Sequence, residues 1–189
     1  MSSGWNQRFS GEGYYYGTAP ADFVVRQAAR LDAGARVLSV AEGEGRNAIY
    51  LARQGFDVTA FDGSDVALAK ARALAAGQEP APEFHLCRAE DWRWQAGAYD
   101  AVFAVFTQFA PPALRAVIFE GIATTLRPGG LVLLHGFATR QSENHSGGPR
   151  DPAHLYTLDL LHVAFAGWQI EEEADYDAEL REGAGHSGR

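Results

Sequence analysis

Along the 189-residue chain the spacing of apolar positions switches back and forth between two periods. Short dense runs, RVLSVA (36–41), DVTAFD (57–62), EFHLCRA (83–89), YDAVFAVF (99–106) and GGLVLLHGF (129–137), read as five buried strands, with Cys87 inside the third. WQIEEEADY (168–176) alternates apolar and polar positions and reads as a sixth. Helical spacing separates them. DFVVRQAARL (22–31) follows Pro20, NAIYLARQG closes at Gly55, and Ser64 is placed to cap a helix running to Ala76 before Gly77. PALRAVIFEGIATTL (112–126) and TLDLLHVAFAG (157–167) complete the set, and the Gly-, Ser- and Pro-rich residues 138–152 form one long loop. Strand and helix in alternation predict a mostly parallel sheet covered on both faces, a doubly wound α/β sandwich, with residues 1–189 as one domain. Ligands of such sheets bind beyond the carboxyl ends of the strands, which is where the chemistry is sought.

Composition removes several partners. Apolar residues make up 47% and charged residues 21%, a globular balance, and no apolar run is long enough to span a membrane. The net charge is −8, from 24 acidic against 16 basic side chains with no Lys/Arg cluster, so nucleic acid is not an expected partner. Seven carboxylates fall between Glu171 and Glu182 and read as a solvated strand edge and tail. One cysteine cannot form an internal disulfide and the first residues lack a signal-peptide core, so a cytoplasmic location is expected. His145, His154, His162 and His186 do not stand at zinc-ligand spacing with Cys87, and no metal is expected.

Candidate chemistry gathers at three strand ends. Gly43 and Gly45 lie where the first strand must turn into a helix; without Cβ atoms they admit positive φ and let a ligand lie against the backbone. Asp62 ends the next strand, nineteen residues after Gly43, where a carboxylate can accept both hydroxyls of a ribose or, alternatively, begin the turn of Gly63 and Ser64. After the third strand, Asp91 can accept from an adenine amino group and the Trp92 N–H can donate to a ring nitrogen; a turn cap is the other reading. GEGRNA also satisfies G-x-G-x-x-A, as in a nicotinamide oxidoreductase, but Ala41 then stands at the first glycine position and Arg46 at the third, where a bulky side chain obstructs helix–strand packing.

In order, WNQRF, YYYGTAP, VLSVAEGEGRNAIYLARQGFDVTAFDGS, AEDW, YDAVFAVF, LRPGGLVLLHGF and REGAGHSGR resemble the class I S-adenosylmethionine-dependent methyltransferases, and more narrowly the small group similar to tellurite-resistance and thiopurine methyltransferases. The resemblance implies S-adenosylmethionine as cofactor and in-line methyl transfer to a small-molecule acceptor. It implies Gly43 and Gly45 beneath the cofactor, Asp62 on the ribose with Gly63 and Ser64 beside it, and Glu90, Asp91 and Trp92 around the adenine. Val105 and Phe106 would face the thioether, and residues 1–20, with Trp5 and Tyr16, would form an aromatic lid. No catalytic residue is assigned; His135 is the candidate base for an oxygen or nitrogen acceptor, with a structural histidine as the competing reading. A domain that binds the cofactor without turnover is the alternative outside catalysis.

Two departures from the family pattern bear on this. Ser39 stands where an acid is common and Ala41 where a glycine is common, with Glu42 and Glu44 as candidate replacements for the charge. The usual seventh, antiparallel strand has no counterpart, so REGAGHSGR reads as its stump and the sixth strand as an edge, either frayed or paired with another copy of the chain.

Overall fold

The structure is a computed structural model, and it describes residues 2–144 and 146–188. Five parallel strands form one sheet in the order β3-β2-β1-β4-β5: β1 (Arg36–Val40), β2 (Asp57–Asp62), β3 (Glu83–Leu86), β4 (Tyr99–Val105) and β5 (Leu126–His135). The central strands β1 and β4 are largely apolar because both faces are covered, whereas the edge strand β3 has no buried residue. On one face Val37, Val58, Ala60, Ala101 and Phe103 pack with α2 (Asp22–Ala28) and α3 (Arg46–Arg53). On the other, Leu38, Val40, Phe61, Val102 and Ala104 pack with α5 (Pro112–Thr125). The doubly wound expectation holds, and the order of the strands reverses between β1 and β4, which locates the binding crevice at their carboxyl ends.

Two helices complete the site's surroundings. Ser64 caps α4 (Asp65–Ala75), its Oγ accepting from the Ala67 N–H at 3.1 Å. The first helix, α1 (Ser2–Phe9), was not legible as a helix in the sequence; it contacts α4 through Asn6, which donates to Asp65 at 2.7 Å and accepts from Ser64 Oγ at 2.6 Å.

The second half departs from expectation in several places. Residues 168–179 form no strand, so the sixth strand is not part of the sheet and β5 is its edge. The acidic run lies instead along basic side chains, Glu171 and Glu172 beside Arg30, Glu173 beside His162, and Asp175 and Asp177 beside Arg140. REGAGHSGR is not a frayed stump. Its residues 181–188 belong to a small antiparallel hairpin, β6 (Leu180–Glu182) with β7 (His186–Gly188), turned at Gly183 with φ +67°. The hairpin is fastened by the Gly185 N–H to the Tyr15 carbonyl at 3.1 Å and by the Ser187 N–H to the Ser146 carbonyl at 3.0 Å. Residues 138–152 carry a 3-10 turn over Thr139–Glu143, and a short helix, α6 (Leu158–Ala164), follows. Strand β3 ends at Leu86, one residue before Cys87, whose thiol is pushed up by its partial burial and by Asp91.

Candidate functional site

At the end of β1 the chain turns through Ala41 at φ +51°, Gly43 at +68° and Gly45 at +91°, and α3 begins at Arg46. The two glycines are needed for different reasons. A Cβ on Gly45 would stand 2.8 Å from the Cβ of Ala71, so Gly45 lets α4 approach the loop. A Cβ on Gly43 would meet only the ring of Phe9 at 3.5 Å, so the backbone there faces the N-terminal segment and nothing tighter. Ala41 adopts the left-handed conformation without being glycine.

The acids of this loop point inward. Glu42 accepts from the N–H groups of Asn47 and Ala48, both at 2.9 Å, and from the Ser39 hydroxyl. It thereby caps α3, whose N-cap Gly45 has no side chain to do so, and places a carboxylate over Ser39. Burial pushes its pKa up against these hydrogen bonds. Glu44 accepts from the Tyr15 N–H at 2.7 Å and pairs with Lys70 at 3.1 Å, and Lys70 also donates to the Gly11 and Gly13 carbonyls. Glu44 and Lys70 therefore hold the Tyr-rich segment down on the loop.

Asp62 stands beside Gly43. Its Oδ2 accepts from the Gly43 N–H and its Oδ1 from the Ser64 N–H, both at 2.8 Å, in a position 8% exposed where burial raises its pKa. The Gly63 backbone also hydrogen-bonds the carboxylate, which has about four acceptor positions in all, so capacity remains for a hydroxyl. The chain after β3 reaches the same place: the Cys87 N–H donates to the Asp62 carbonyl at 3.0 Å, and Arg88 packs over Gly63. Beyond it, Glu90 pairs with Arg88, Asp91 is exposed, and the Trp92 ring stacks on Phe61 with centroids 4.5 Å apart. Trp92 Nε1 is buried with no partner among the described residues. A glycine loop open only to a ring, a carboxylate with free lone pairs beside it and an exposed acid past the neighbouring strand suit the nucleoside of S-adenosylmethionine.

The strand ends on the other side of β1 build an aromatic cluster. Val105 ends β4, and Phe106 follows at φ +55°, its N–H donating to the His135 carbonyl at 2.8 Å. Gln108 clamps this turn to the end of β5, donating to the Phe137 carbonyl and accepting from its N–H, both at 2.7 Å. Phe106 contacts His135, Phe137 and His186, and His186 in turn contacts Tyr16. Trp5 stacks on Phe9 and meets Phe109 edge-on. His135 stacks on Phe23 at 4.8 Å, and burial lowers its pKa to about 4. The sequence raised Glu42 only as a replacement charge and not as a helix cap, and it held Glu182 and His186 within REGAGHSGR, read as a stump; Gln108 as clamp lies in no motif. No group of three or more His, Cys, Asp or Glu gathers as a metal site, and no helix is long and apolar enough to cross a membrane, among the described residues.

Residues 37–130, which hold the loop, Asp62, Asp91, Trp92 and Phe106, match a family model described as a methyltransferase domain. The region is similar to methyltransferase domains. The dinucleotide register fails on the same residues, since Ala41 occupies the first glycine position and a buried Arg46 the third. This chain is 28% identical over 162 residues to a glycine/sarcosine N-methyltransferase of Halorhodospira halochloris, an alignment covering 76% of the chain and 55% of that relative. The chain thus spans about half the length of the curated relative it matches. Among solved structures, one concerned with converting a disulfide bond into a thioacetal group in echinomycin biosynthesis superposes with a TM-score of 0.75 at 22% identity, covering 91% of this chain and 80% of the other. A TehB-like S-adenosylmethionine-dependent methyltransferase of Corynebacterium glutamicum superposes with a TM-score of 0.60 at 19% identity, covering 86% and 80%. At these identities the likeness is one of fold, and it extends past the methyltransferase domain's matched residues to most of the chain.

Proposed function

We propose that this protein transfers a methyl group from S-adenosylmethionine to a small-molecule acceptor in the cytoplasm. The observation that carries the proposal is the placement of the Asp62 carboxylate 2.8 Å from the Gly43 N–H at the switch point of the sheet. Gly43 with Gly45 would underlie the cofactor, Asp62 with Gly63 and Ser64 would hold its ribose, and Asp91 with the Trp92 N–H would take the adenine. Glu90, committed to Arg88, would border that pocket. Val105 and Phe106 would face the thioether end. When bound, the cofactor supplies a methyl group already activated on a sulfonium. The protein's own part is alignment and the exclusion of water, and alignment of this kind is worth roughly 7–11 kcal/mol of barrier.

Residues 1–20 are the proposed lid. Support comes from their anchorage: Phe9, 3% exposed, lies over Gly43, while Trp5, Tyr15 and Tyr16 pack around it and Glu44 holds their backbone. A place in the tellurite-resistance-like group is supported by the likeness to the TehB-like structure. The similar proteins act on different atoms by their descriptions, nitrogen in one and sulfur in another. Here a buried histidine at the thioether end favours an acceptor that must lose a proton.

Thermal denaturation with S-adenosylhomocysteine and with NAD in parallel tests the assignment. S-adenosylhomocysteine at a hundred times its Kd adds about 2.7 kcal/mol and raises Tm, and NAD leaves it unchanged. Stabilisation by NAD alone would refute the proposal.

A further inference from the structure

The β6–β7 hairpin carries His186 into the aromatic cluster, with ring centroids 4.5 Å from Tyr16, 4.3 Å from Phe106 and 5.2 Å from Phe137. The residue is 4% exposed. Its Nδ1 lies 3.4 Å from Glu182 Oε2, and the same oxygen accepts from Arg46 Nη2 at 2.6 Å. Arg46 is the first residue of α3, directly after Gly45, and its side chain is 8% exposed, with Nη1 donating to the Ala19 carbonyl at 3.3 Å. A guanidinium taken out of water is costly unless paired, so its placement is explained by Glu182. The side chain that rules out dinucleotide packing is the one that joins the cofactor loop to the hairpin.

The pairing also fixes which nitrogen of His186 carries a proton. Burial opposes ionisation of Glu182, but the contacts from His186 and Arg46 prevail and hold its carboxyl down to about 2. An ionised carboxylate only accepts, so Nδ1 is the N–H and Nε2 bears the lone pair. Nε2 has no hydrogen-bond partner among the described residues. Burial keeps the ring neutral, against the pull of Glu182. The other titratable and charged groups facing it are Arg46 on α3, Arg8 on α1, Tyr16 in the N-terminal segment and His135 on β5. His135 makes no such pairing with a carboxylate among the described residues.

We infer that Arg46 and Glu182 are positioning residues that orient His186 as the proton acceptor for an amine at the methyl-transfer end of the site. The inference rests on the methyltransferase reading above. The proton leaves the acceptor nitrogen for Nε2, and the imidazolium so formed is held against the Glu182 carboxylate. The freed nitrogen lone pair takes the methyl group, and the electron pair of the broken carbon–sulfur bond remains on sulfur. A thiolate acceptor needs no such base.

The test reads the ring directly. In the full chain labelled with 15N-histidine and saturated with S-adenosylhomocysteine, His186 is assigned by its loss in His186→Asn. Long-range 1H–15N correlation at neutral pH is expected to show Nδ1 protonated and Nε2 bare. Arg46→Met shifts the population toward protonated Nε2, and Arg46→Lys, which keeps the charge, restores it. Thermal shift by S-adenosylhomocysteine is recorded on the same samples. Binding together with a wild-type ring protonated at Nε2, or with a ring unchanged in Arg46→Met, overturns the inference and leaves the methyltransferase reading standing. Absence of binding to the wild type overturns both. The wild-type spectrum decides the matter even where a variant does not fold.

Discussion

Around Asp62 the polar contacts run between a side chain and nearby backbone, two residues away at Ser64 and nineteen at Gly43. Around His186 they run between side chains brought from far apart, Arg46 and Glu182 being separated by 136 positions. The first arrangement is a property of consecutive strand ends and forms whenever β1 and β2 pair. The second exists only when the N-terminal segment, α3, the β4 and β5 ends and the hairpin have all docked. On the proposed function, the nucleotide half is a platform set by local contacts and the acceptor half an assembly, which is the usual division between a common cofactor and an individual substrate.

This contrast can be attacked first at the platform. Gly45→Ala combines a φ of +91° with a Cβ placed 2.8 Å from that of Ala71. Left-handed strain of roughly 1–2 kcal/mol and overpacking of roughly 1–3 kcal/mol add to about 2–5 kcal/mol in denaturant unfolding. Gly43→Ala, with nothing nearer than the Phe9 ring at 3.5 Å, loses only the strain. Equal losses at the two glycines would show that the loop is not braced against α4 as described.

Acidification separates the halves by sign. His135, lowered from 6.5 to about 4, contributes stability that is present above 6.5 and lost as pH falls toward 4, worth at most about 3 kcal/mol. Glu182, lowered to about 2, adds a loss that begins as pH falls below its ordinary carboxyl range. Asp62 and Glu42 are shifted upward by burial, so their contribution runs the other way and is lost as pH rises. Protection factors of residues 180–188, which correct amide exchange for its intrinsic pH dependence, should fall between pH 7 and pH 4 before those of residues 40–48. The reverse order would contradict the division. The smallest effect belongs to the surface. Glu172→Gln, at a half-exposed pair with Arg30, should change stability by less than about 1 kcal/mol, and a larger loss in denaturant unfolding would give the acidic run a structural part.

The same contrast explains what could be read from sequence. The β1–α3–β2–α4 unit was legible because period, glycines and the Ser64 cap all act over a few residues. Asp62 was legible as a candidate site residue and as the start of the turn at Gly63 and Ser64, though not that it accepts from Gly43 as well. The strand expected at residues 168–176 was misread because alternation reports a preference for extended backbone, not a partner, and here Arg30, His162 and Arg140 supply the partners. His186 looked unremarkable by spacing; its setting depends on Arg46, Tyr16 and Phe106, none of which is near it in the chain. The direction of Glu42 and Glu44, which decides what replaces the acid absent at Ser39, required coordinates.

The most direct measurement of the central claim is calorimetric titration of S-adenosylhomocysteine into the wild type and Asp62→Ala. Removing hydrogen bonds to a charged acceptor, each worth roughly 1.5–3 kcal/mol, is predicted to weaken binding at least about tenfold while circular dichroism stays that of the folded chain. Equal affinity in the two proteins would mean that the carboxylate serves only its turn with Gly43 and Ser64, and that the cofactor does not lie where this account puts it.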